Sequence, residues 1–146
     1  MRKALVLVVL LLLPGLAQER MTDKSGFSLM VPEHWLHTRS DDRGLELARD
    51  DVHIQIVGFR GTTLEDEVKR LRALEREQES EFKEEKTVTV NEVPCHWMIF
   101  FQDDEYRIYY ALLAGQRGFL WTVTSRSTDS KAFLEAQQML ESFRVE

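Results

Sequence analysis

Apolar residues follow two rhythms along this chain. Over residues 52–59 they alternate. Val52, Ile54 and Ile56 fall on one side and His53, Gln55 and Val57 on the other, which is the period of a strand. Residues 26–31 form a second strand, closed by Pro32, which has no N–H to donate to a ladder, and residues 44–49 form a third. After Gly61 the step lengthens. Leu64, Val68, Leu71 and Leu74 recur at helical spacing, Thr62 and Glu65 stand at the separation of a capping box, and the segment reads as an amphipathic helix ending after Glu75. Its pairs Glu65–Lys69 and Asp66–Arg70 are oriented to stabilise it, and its charged face reads as solvated surface.

The strand rhythm then returns in residues 86–90, 93–102, 106–114 and 118–125, broken at Asn91-Glu92, at Asp103-Asp104 and at residues 115–118. Turns this short join neighbouring antiparallel strands. In residues 93–102, Cys95, Trp97, Ile99 and Phe101 share one face and His96, Met98, Phe100 and Gln102 the other. Both faces are mostly apolar, so the sheet is expected to be covered on both sides. A last helix follows, capped by Ser127 or Thr128, with Phe133, Ala136, Leu140 and Phe143 as its buried stripe. Antiparallel strands interleaved with two helices make an α+β protein, an antiparallel β-sheet flanked by helices.

The first residues change where this domain is expected to work. Arg2 and Lys3 precede ten apolar residues, Ala4 to Leu13, and Pro14-Gly15-Leu16-Ala17 follows with small residues at Gly15 and Ala17. That layout predicts a signal peptide over residues 1–17, cleaved before Gln18, and a single domain over residues 18–146. Ten helical residues span about 15 Å against about 30 Å of hydrocarbon, so no stable membrane insertion is expected after cleavage. The localisation implied is exported, periplasmic or secreted.

Charge and cysteine content narrow the partners. The formal net charge is −6, and loss of Arg2 and Lys3 makes it more acidic. No basic stripe with interleaved aromatics is present, so nucleic acid is excluded as a partner class. Cys95 is the single cysteine, so no internal disulfide forms and the core must supply stability. Within "VPCHWMIFF" it reads as a buried small apolar residue.

The order of elements resembles the PsbP-like fold. "GFSLMVPEHW" is similar to the strand-Pro-x-x-Trp signature near the start of that fold, and the likeness continues through "TTLEDEV", "VTVNEVPCHW" and "LESF". The fold is named for an extrinsic protein of the oxygen-evolving complex and is shared by DcrB-type bacterial proteins and a Ran-binding import factor. The resemblance implies an αβα sandwich used for binding and assembly, with no shared catalytic motif. Relatives often place a glycine where Glu92 stands.

Candidate chemistry is sparse. His34 and His37, two residues apart in the corner after Pro32, could offer imidazoles to zinc or copper. On a strand, i and i+3 point to opposite sides, and two ligands fall short of a zinc site, so no metal is assigned to them. The pairs Asp41-Asp42, Asp50-Asp51 and Asp103-Asp104 could hold calcium, but each stands where a turn is needed and aspartate favours turns. No nucleophile elbow, zinc-protease motif, phosphate loop or paired-cysteine motif occurs. The reading is an exported non-enzymatic accessory or protein-binding domain, without a cofactor, whose partner is another envelope or secreted protein. The alternative is a small-ligand or metal-binding module with a pocket between sheet and helix. Within the aromatic cluster that runs from Trp97 to Trp121, the expected binding surface comprises His96, Phe100 and Tyr109.

Overall fold

The computed structural model describes residues 18–41 and 44–146, so the predicted signal peptide lies outside the described residues, as does Asp42. Along the chain run β1 (Gln18–Asp23), β2 (Phe27–Pro32), β3 (Leu36–Asp41), β4 (Gly44–Arg49) and β5 (Val52–Phe59). Helix α1 (Leu64–Glu77) follows, then β6 (Glu81–Val90), β7 (Val93–Gln102), β8 (Glu105–Ala114) and β9 (Arg117–Ser125). The chain closes with α2 (Lys131–Glu141) and the short β10 (Arg144–Val145). Among the described residues the strands form a seven-stranded sheet in the order β3-β4-β5-β9-β8-β7-β6 and a three-stranded sheet in the order β1-β2-β10. Every pairing is antiparallel.

The pleat separates two apolar layers. On one face Cys95, Ile99, Tyr110, Trp121 and Ile54 pack with α2 and with Phe27 and Leu29 of the smaller sheet. On the other, Met98, Phe100 and Tyr109 pack beneath Val68 and Leu71 of α1. Phe143, just past α2, is fully buried, with its ring centroid 5.4 Å from Phe27, 5.5 Å from Phe119 and 5.6 Å from Trp121. It joins the helix, the small sheet and the large one. Asn91, in the β6–β7 turn, donates from Nδ2 to the carbonyls of Glu141 and Phe143 at 2.9 and 2.6 Å, satisfying acceptors that the end of α2 leaves open.

Strands β1 and β3 depart from the expected order, which had three strands before the first helix. Their sequences, QERMTD and LHTRSD, carry no apolar alternation, and β3 is exposed at almost every position. Both form at the margin of a sheet, where the neighbouring backbone supplies the ladder and the side chains need not be buried. Strand β6 likewise begins at Glu81 rather than Lys86. It is the other edge of the large sheet, exposed along all but Val90 and bulged between Phe82 and Glu84.

The helix caps move by small steps. Thr63, not Thr62, caps α1, its Oγ1 accepting from the Asp66 N–H at 3.1 Å. Ser130, not Ser127 or Thr128, caps α2, accepting from the Phe133 N–H at 3.1 Å. Each side chain reaches the third residue onward, the span a cap requires. Leu74 is 38% exposed, and its expected place on the buried arc of α1 is taken by Glu75.

The aspartate pairs bear out their reading as turns where they are described. Asp103 and Asp104 adopt φ of 53° and 60°, and Asn91 and Glu92 adopt 48° and 70°. Positive φ at both central residues is the geometry whose twist matches two paired strands.

Candidate functional site

Glu75 lies on the α1 face that meets the sheet, and its side chain has no exposure to solvent. The carboxylate accepts hydrogen bonds from Arg107 Nη1 at 2.5 and 2.7 Å, from Tyr109 Oη at 2.6 Å and from Ser80 Oγ at 2.6 Å. Arg107 and Tyr109 reach it because they are two apart on β8 and so share a face. Ser80 arrives from the turn after the helix. Burial alone would raise the Glu75 pKa, but the hydrogen bonds from Ser80, Tyr109 and Arg107 outweigh it and hold the carboxyl below the ordinary glutamate range. Burial, and then the Glu75 carboxylate, push the Tyr109 phenol well above its usual value.

Such a carboxylate is a poor general base, because its charge is already stabilised and its lone pairs are engaged. Its work is to pin α1 to β8. A second, more exposed tie lies on the other flank of the helix, where Arg72 donates to Glu85 of β6 and His96 Nε2 stands 2.9 Å from the same carboxylate. The Arg72 hydrogen bond first, and the His96 one second, lower Glu85 to about 2.

The expected binding surface is not open. Phe100 and Tyr109 are 5% and 4% exposed, covered by α1, and only His96 stays half-buried at the surface. Val68, Leu71, Met98, Phe100 and Tyr109 pack together between α1 and the sheet at that point.

The histidines divide. His53 lies on β5 and His96 on β7, whereas His34 and His37 line one open concavity of about 510 Å³ with Glu19, Met21 and Trp35. That corrects the expectation of opposite sides. His34 takes φ of 72° in the turn after Pro32, and this left-handed step breaks the strand alternation. Trp35 packs into the core at 7% exposure, with Nε1 buried and without an acceptor. Among the described residues no three His, Cys, Asp or Glu side chains gather as a metal site.

Sequence reasoning missed the Glu75 network, although a signal existed. Glu75 falls four residues after Leu71, on the apolar arc, and Arg107 interrupts a nearly apolar strand at an inward position. A charge on a buried stripe predicts an opposite charge across the interface.

These layers define a PsbP-like fold. The chain is similar in structure to the cyanobacterial PsbP (CyanoP) of Synechocystis sp. PCC 6803, with a TM-score of 0.63 and 10% identity over 88% of this chain and 92% of that one. It is also similar to a protein of Bacteroides thetaiotaomicron VPI-5482, with a TM-score of 0.60 and 13% identity over 88% of this chain and 48% of that one, so it spans about half of that protein. At these identities the likeness is one of fold. No family model matches the sequence, and no curated protein does.

Proposed function

We propose that this is an exported accessory domain that acts through protein contacts and not through catalysis. The observation that carries the reading is the saturation of Glu75, a fully buried carboxylate, by donors that fix the helix to the sheet. A catalytic carboxyl would keep a lone pair or a proton free for substrate. The helices, one against each face of the large sheet, are read as the outer layers of an αβα sandwich. Export is supported by the three-part layout of residues 1–17, a basic start, an apolar run and small residues at Gly15 and Ala17. Residence is periplasmic or secreted.

Contacts with another envelope or secreted protein would use the sheet edges. Leu36 on β3 is 67% exposed, and Phe82 and Val88 on β6 are 48% and 42% exposed. Edge strands also present free backbone donors and acceptors to an added strand. The test uses residues 18–146 as bait in envelope extracts, beside Leu36→Asp and Phe82→Asp variants. A protein enriched by the wild type and lost with one variant supports the reading. Identical captures by all three, or none, would overturn it.

A further inference from the structure

We propose that the corner between β1 and β3 is a binding site for monovalent copper, with Met21 and His37 as its ligands and His34 completing the coordination. This goes beyond the accessory reading and does not depend on it. His37 Nε2 stands 2.9 Å from Met21 Sδ, although the two residues belong to different sheets and are sixteen residues apart. Strand β1 presents Met21 opposite Leu29 of β2, and in β3 the register against β4 shifts by a bulge directly after His37. His34 lines the same concavity, held there by its left-handed backbone at φ 72°.

The donor set selects the ion. A thioether is a weak hydrogen-bond acceptor, so an imidazole set against it gains little as a donor. The same two atoms form a soft and borderline ligand pair, which suits Cu(I) and is ill-matched to calcium, magnesium or manganese. An ion bonded to both would hold Sδ and Nε2 further apart than they stand here, and the flexible methionine side chain permits that movement. The exposed carboxylates Glu19 and Glu33 line the same concavity with Arg20, an excess of negative charge at the rim that favours entry of a cation. The site is open, so copper could enter and leave by ligand exchange.

The test is an anaerobic titration of residues 18–146 with Cu(I) in competition with bicinchoninate, together with X-ray absorption at the copper edge. One equivalent is expected, with one sulfur and one or two nitrogen scatterers. Met21→Leu and His37→Ala should each weaken binding about tenfold or more, His34→Ala should weaken it less than His37→Ala, and His53→Ala should leave it unchanged. Circular dichroism establishes that the variants are folded. Absence of competition, a copper centre without sulfur, or unchanged affinity in Met21→Leu would overturn the proposal, and none of these would touch the reading of protein contacts.

Discussion

Arg107 Nη1 donates to both oxygens of Glu75, at 2.5 and 2.7 Å, across the interface between β8 and α1. The partners are unequally placed. Glu75 is wholly buried, whereas the Arg107 side chain retains 26% exposure and could turn to water if released. Removing the arginine therefore strands a buried charge, while removing the glutamate does not.

Arg107→Met is expected to destabilise the fold by about 3–5 kcal/mol, because an uncompensated carboxylate remains beneath α1. Glu75→Leu should cost less, about 1–3 kcal/mol, chiefly through the lost hydrogen bonds of Tyr109 and Ser80. The double variant should be more stable than Arg107→Met alone. Urea unfolding at neutral pH measures all three, and an Arg107→Met loss no larger than that of Glu75→Leu would contradict the asymmetry.

Acid should weaken the fold through the same carboxylates. Glu75 and Glu85 both titrate lower folded than unfolded. Their stabilisation is therefore present above the unfolded pKa and is lost as pH falls through the folded one. For Glu85 that window runs from about 4.5 down to about 2. The Glu85 share is small because its pair with Arg72 is part-exposed and screened. The urea midpoint should stay level from pH 7 to about 5 and fall below it, and Glu75→Gln should flatten the fall.

Two turns hold residues that glycine would replace with profit. Glu92 sits at φ 70° and Asp104 at φ 60°, a region that costs most L-residues about 1–2 kcal/mol. Glu92→Gly should stabilise by about 0.5–1 kcal/mol after the entropy of the unfolded glycine is deducted. Asp104→Gly should gain less, since aspartate tolerates this region better. Thermal melting reads both, and a lower Tm in Glu92→Gly would contradict the turn geometry.

Cys95 should be chemically silent in the native protein. It is fully buried, and burial pushes its thiol up to about 12, so neither access nor thiolate is provided. Ellman's reagent should modify it at least about a thousandfold more slowly than in the urea-unfolded chain, at the rate of global opening.

The parts of this fold legible in the sequence were those in which burial dictates the residue. The alternation of β5 and of β7 to β9, the stripe of α2 and the two-residue turns all record which side of the chain meets the core. Strands β1 and β3 were illegible because their order comes from a neighbour's backbone, which leaves side chains free to be polar. Glu75 was hidden for the opposite reason. Helical spacing puts it with Val68 and Leu71, but a carboxylate in a run of charges looks solvated until Arg107 and Tyr109 are seen above it. The Met21–His37 approach joins two sheets, and no local spacing encodes it. The four histidines could be found in sequence, but the left-handed step at His34 and its sharing of one concavity with His37 could not.

The position of Phe143 makes two sheets answerable to one side chain. The rings of Phe27 on β2 and of Phe119 and Trp121 on β9 all close upon it. Without that ring a hollow would open where the two sheets meet. The small sheet and the large one would then loosen together, so a single phenylalanine couples them into one cooperative unit.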